Sequence, residues 1–122
     1  RNTNDSEIKV NPSLDEIKFD DFSKIDIRAA TILEAEKVPK TKKLIKMTVD
    51  TGLDKRTVVS GIAEYYNPEE LAGKRVCILI NLAPRKIKGV ESKGMLLLSE
   101  NSDGRLLFVE PHRDAEDGAE VR

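Results

Sequence analysis

Twelve residues, Ile25 to Glu36, constrain this fold more than any other stretch. Their first half alternates, with Ile25, Ile27 and Ala29 opposed to Asp26 and Arg28, the pattern of a half-buried strand. The phase then slips, because Ile32 and Leu33 are adjacent. A flat strand cannot keep both apolar sets on one face. A bulge or bend solves this and lets one strand serve both sheets of a small barrel. Aromatic residues make up only 4% of the 122-residue chain, so the core has to be aliphatic.

The remaining segments fit a barrel. Leu44–Asp50 reads as a second strand, with Ile45, Met47 and Val49 on one face and Lys46, Thr48 and Asp50 on the other. Thr51-Gly52-Leu53-Asp54-Lys55 forms a hairpin turn with glycine where a positive φ is needed, and Arg56–Ile62 is the third strand. Asn67 to Gly73 carries helix signals in miniature: a capping asparagine, proline at the first position, two acids and a terminating glycine. Arg75–Leu82 is apolar on both faces and therefore central. Met95–Ser99 is a fifth strand, Leu106–Val109 a short sixth, and an acidic tail runs to Arg122. Asp20–Lys24 reads as a single helical turn anchored by Phe19 and Phe22. Residues 1–16 are polar and are expected to be a flexible linker or tail, with room for an ordered piece from Leu14 onward. Three strands, a short helix and two more strands, the first bent, is the order of an all-β, five-stranded OB-fold barrel. Residues 17–122 form that domain, with the sixth strand as a C-terminal β extension.

Net charge is −1, which by itself argues against a polyanionic ligand. The distribution argues the other way. Residues 37–56 carry +5 and residues 84–94 carry +3, inside an acidic frame. Local field rather than total charge steers a polyanion. A basic loop alone is ordinarily just solvated surface, but OB barrels meet ligands on strands 2 and 3 and on the loops joining strands 1 to 2 and 4 to 5. Those two loops are the basic segments here. Lys46 and Arg56 add cations on the face between them.

Other chemistries fit poorly. One histidine and one cysteine cannot supply a histidine-cluster or Cys₂His₂ metal site. His112 lies in a proline-flanked acidic tail, and Cys77 sits inside an apolar run as a small core residue. No serine has a nucleophile context, and no phosphate-binding glycine motif is present, so neither catalysis nor a cofactor is expected. No stretch is long and apolar enough to span a membrane, and no signal peptide is seen, which points to the cytoplasm. Phe19, Phe22, Tyr65, Tyr66 and Phe108 all lie outside the basic loops. Single-strand binders stack bases on such rings, so their placement favours a shape reader of folded RNA.

Four blocks carry a family resemblance: Asp21-Phe22-Ser23-Lys24-Ile25-Asp26-Ile27-Arg28, Val58-Val59-Ser60-Gly61-Ile62, Asn81-Leu82-Ala83-Pro84-Arg85-Lys86-Ile87-Lys88-Gly89, and Glu91-Ser92-Lys93-Gly94-Met95-Leu96-Leu97. Together they resemble the tRNA-binding domain family over about residues 17–122. The tail Asp117–Arg122 and the linker-like start are most similar to the version at the C-terminus of bacterial methionyl-tRNA synthetase. With the chain opening on Arg1 rather than Met, this implies a non-catalytic domain covalently attached to a synthetase catalytic domain. The resemblance further implies homodimerisation and binding to the outer corner of folded tRNA. It suggests tRNA contacts at Lys37, Lys42 and Lys43 in the first loop. In the second it suggests Arg85, Lys86, Lys88, Ser92, Lys93, Gly94 and Met95. It places the dimer interface on Phe19 and Phe22 and on the extension with Leu106 and Phe108. A histidine common in the family's first loop is absent; this chain has Val38-Pro39-Lys40-Thr41-Lys42-Lys43. A stand-alone tRNA-binding protein and a secretion-chaperone-like, protein-binding barrel are the alternatives.

Overall fold

In the computed structural model, residues 10–122 are described. Residues 1–9, most of the expected linker, lie outside the described residues. Residues 10–18 have no regular secondary structure and are exposed. A single helical turn, α1 (Phe19–Phe22), follows, closed by the Ser23 N–H donating to the Phe19 carbonyl at 2.8 Å.

The first strand, β1 (Ile27–Lys37), bends as its pattern demands. Its first half pairs antiparallel with β4 (Arg75–Leu79), from Ile27 opposite Leu79 to Thr31 opposite Arg75. Its second half pairs with β2 (Ile45–Asp50), from Thr31 opposite Asp50 to Lys37 opposite Ile45. The register shifts between Ile32 and Glu34. Ile32 is fully buried while Leu33 is 41% exposed, so the bulge turns one of the adjacent apolar residues out and keeps the other in the core.

Strand β3 (Lys55–Ser60) pairs with β2, and β7 (Met95–Leu96) with β4, giving the order β3-β2-β1-β4-β7. The sheet curls until its edges nearly meet. There the Lys93 N–H donates to the Thr57 carbonyl at 2.8 Å, and the Val59 N–H donates to Ser92 Oγ at 2.9 Å. A side-chain oxygen thus stands in for a rung of the backbone ladder. The interior is aliphatic, with Ile32, Ile45, Met47, Val58, Val76 and Ile78 at its centre. The segment between β3 and β4 plugs one end through fully buried Leu71, a burial that stabilises by about 1.5–3 kcal/mol. Its helix is one 3-10 turn, Pro68–Glu70, held by the Asn67 N–H donating to the Glu70 carboxylate at 2.8 Å.

Four expectations need revision. The fourth strand stops at Leu79 rather than Leu82, because Asn81 leaves the sheet to staple the entrance of β1: its side chain accepts from the Asp26 N–H and donates to the Lys24 carbonyl. The second basic loop is itself a hairpin, β5 (Arg85–Ile87) with β6 (Val90–Ser92). The fifth strand splits into β7 and β8 (Leu98–Glu100), and β8 pairs with β9 (Leu106–Phe108) in a separate two-stranded sheet. The acidic tail returns as β10 (Glu120–Val121), pairing Val121 with Ile27. Gly52 makes that return feasible. Its φ is 84°, and a Cβ there would collide with the Asp117 carbonyl.

Candidate nucleic-acid interface

The first basic loop hangs from a buried anchor. Val38 is 5% exposed, its N–H donates to the Leu44 carbonyl at 3.0 Å, and its own carbonyl accepts from Thr41 Oγ1 at 2.8 Å. The lysines around it therefore project outward from an ordered turn. The second basic segment turns at Lys88 (φ 49°) and Gly89 (φ 83°), two left-handed residues in succession, as a tight hairpin requires.

Lys40 (φ 64°) and Lys88 are the only non-glycine residues in that region among the described residues. Each costs about 1 kcal/mol or more, and such strain concentrates at functional positions. Both line one open groove of about 740 Å³, together with Lys42, Lys43, Arg85 and Lys86. Two segments more than forty residues apart thus place six cations around one trough. All six are exposed, and none forms an ion pair with another described residue.

The other residues suggested by motif stand differently. Lys37 is exposed at the end of β1, beside the groove's first loop but outside its lining. Lys46 pairs with Glu36 at 3.1 Å and Lys93 with Glu91 at 3.9 Å. Arg56 is bound on several sides: its guanidinium meets Asp54 at 2.7 and 3.0 Å and the carbonyls of Ile80 and Lys93 at 2.9 and 3.1 Å. The hydrogen bonds between the two side chains hold the Asp54 carboxyl below its ordinary range and raise the Arg56 value. Ser92 is buried at the barrel seam. Gly94 (φ 136°) is buried too, and a Cβ there would press on the Leu79 carbonyl, so these two residues place their neighbours. Met95 is 45% exposed beside them.

Lys40 lines the groove although the motif match passes over it; nothing about a lysine announces a left-handed backbone. Phe19 and Phe22 border a second groove of about 490 Å³ with Ile25 and Val121. Leu106 and Phe108 instead pack against their own core, Phe108 lying 5.0 Å from the Tyr66 ring and under Lys74 Nζ at 5.4 Å. Burial pushes the Cys77 thiol up, as befits a core residue. Among the described residues no group of three or more His, Cys, Asp or Glu side chains could hold a metal ion, and no helix is long and apolar enough to cross a membrane.

Clustered, exposed cations of this kind can meet the phosphates of a polyanion. The family model described as a putative tRNA binding domain matches residues 27–120, from the first residue of β1 to the first of β10. The chain belongs to the tRNA-binding domain family. This tRNA-binding domain is 58% identical over 113 residues to the methionine–tRNA ligase of Flavobacterium johnsoniae, covering 93% of this chain and 16% of the relative. It is 54% identical over 114 residues to that of Parabacteroides distasonis, with 93% and 17% covered. The chain thus spans about a sixth of the length of these relatives. Its barrel superposes on a MetRS-related protein of Pyrococcus horikoshii with a TM-score of 0.85 and 41% identity, over 89% of this chain and 100% of that one. It also superposes on the chaperone CsaA of Bacillus anthracis with a TM-score of 0.80 and 26% identity, over 88% and 100%.

Proposed function

We propose that this chain is the appended, non-catalytic tRNA-binding domain of a methionine–tRNA ligase, working in the cytoplasm as a homodimer without a cofactor of its own. It grips the outer corner of folded tRNA by shape and by phosphate contacts. One observation carries the reading: six unpaired cations from two distant loops surround one trough too poor in aromatics to stack bases. Relatives with the ligase's name match almost the whole chain while extending far beyond its length, which supports attachment to a larger enzyme. The groove bordered by Phe19 (76% exposed), Phe22 and Val121 is the face on which a second copy would bury apolar surface. Two protomers would then double the contacts across one tRNA.

A protein-binding role is the second reading, favoured by the likeness to a chaperone and by the exposed Phe19, Phe22 and Val121 at that groove. Competition separates the two. A labelled folded tRNA is displaced by unlabelled folded tRNA and not by an unfolded polypeptide if the domain reads RNA. No binding of the labelled tRNA, together with binding of a labelled unfolded polypeptide, would establish the second reading instead.

A further inference from the structure

Arg56 sits where the ladder between β3 and β7 lapses, and its guanidinium joins three parts of the chain. Nη1 donates to the Ile80 carbonyl at 2.9 Å and to the Lys93 carbonyl at 3.1 Å. Nε and Nη2 donate to the two Asp54 oxygens at 3.0 and 2.7 Å. Four of the five guanidinium donors are therefore used, and the side chain is 17% exposed. Asp54 is fixed in turn, since Thr51 Oγ1 donates to its Oδ1 at 2.9 Å.

Ile80 and Lys93 are not arbitrary partners. They flank the segment that carries Arg85, Lys86 and Lys88, so one nitrogen ties the incoming and outgoing roots of the basic hairpin. The hairpin needs that tie. Strands β5 and β6 form a separate two-stranded sheet that pairs only with itself. Its only backbone bridge to β3 is the Lys93 N–H to the Thr57 carbonyl, with Ser92 Oγ accepting from Val59 beside it.

We propose that Arg56, with Asp54, is a positioning residue for tRNA rather than a phosphate ligand: it holds the hairpin cations opposite the Lys40–Lys43 loop. The inference rests on the tRNA-binding reading. Fixing the groove before tRNA arrives removes the ordering cost that binding would otherwise carry. Its neighbour makes the two roles separable by sign. Asp54→Asn removes one negative charge and loosens the grip on Arg56. A phosphate-ligating Arg56 would then be freed and tRNA would bind tighter. A positioning Arg56 would lose its orientation, and tRNA would bind more weakly although the protein had become more basic.

The test measures folded-tRNA affinity across salt concentrations, well below melting, for the wild-type chain, D54N, R56K and R56Q. Amide hydrogen exchange of residues 85–92 is followed in the same proteins without tRNA, with the β1–β2 amides as the check that each variant is folded. We expect D54N to weaken binding about threefold to tenfold with its salt slope unchanged, and hairpin amides to exchange faster. R56K, which keeps the charge but loses the fork, should fall with R56Q rather than with wild type. Tighter binding by D54N, wild-type affinity in R56K, or a loss of roughly 0.7–0.9 from the R56Q slope would make Arg56 a ligand and overturn the proposal. Unchanged hairpin exchange in both D54N and R56Q would overturn it as well. If the wild-type chain binds no tRNA, the tRNA reading fails by itself, and the exchange data still decide whether Arg56 holds the hairpin.

Discussion

The groove between the two loops and the face of β2 and β3 use the same residue types for different ends. Around the groove, Lys40, Lys42, Lys43, Arg85, Lys86 and Lys88 are exposed and have no carboxylate partner among the described residues. On the face and at its seam with the hairpin, Lys46 has Glu36, Arg56 has Asp54 and Lys93 has Glu91, while the exposed Lys55 has no such pair among the described residues. The exposed pairs of Lys46 and Lys93 add little to stability, whereas Arg56 is largely enclosed. They do alter recognition, because an approaching phosphate meets a neighbouring carboxylate as well as the cation. The number of basic residues near a surface therefore overstates its pull on RNA.

The largest expected effect comes from reversing charge within the groove. R85E/K86E should weaken tRNA binding by at least about tenfold, since each lost phosphate contact becomes a repulsion. Melting temperature should barely move, because both residues are exposed. The same reversal at the exposed Arg105 and Arg113, which line neither groove, should cost much less. Equal losses in the two double mutants, read by filter binding, would reduce the groove to bulk electrostatics.

A smaller effect separates charge from backbone strain. K88G removes one cation and supplies the residue that a φ of 49° favours. Affinity should fall about threefold to fivefold at physiological salt, as for one phosphate contact, while the melting temperature rises by about 1–3 °C. K86G, on the extended strand β5, should lower the melting temperature instead. The same sign of shift in both would show that Lys88 is unstrained.

The smallest effect lies in acid. Hydrogen bonds from Arg56, then from Thr51, hold the Asp54 carboxyl below its ordinary value of 3.8. A depressed carboxylate contributes stability that is present above the unfolded value and is lost as pH falls through the folded one. The melting-temperature gap between wild type and D54N should thus stay constant from neutral pH to about pH 5 and close below 3.8. A gap that persists in strong acid would mean that the Arg56 contact does not depend on charge.

Much of the barrel is legible in the sequence because its signals are local. The phase slip at Ile32 and Leu33 foretells the bulge, and Asn67-Pro68-Glu69-Glu70 foretells the turn that seats Leu71. Strand β10 is not legible. It is two residues long and owes its place to distant partners: the Gly118 N–H donates to the Ala29 carbonyl, and Asp117 meets Thr31 and Arg75. At the site, the two basic loops stand out by charge alone. Which cations are free depends on register, since Glu36 faces Lys46 only because of the bulge. Asp54 and Arg56 stand two residues apart, a spacing that permits their pairing, but charge counting alone leaves Arg56 among the free cations.

The central claim, that unpaired groove cations bind tRNA while paired ones do not, is tested most directly by the salt dependence of tRNA affinity. Six phosphate contacts at about 0.7–0.9 each give a log–log slope of roughly −4 to −5 per engaged protomer. K42A/K43A should bring that slope about 1.4–1.8 closer to zero, and K46A should leave it within about 0.5 of wild type. A nearly flat wild-type titration, or a K46A loss as large as one for each groove lysine, would contradict the account.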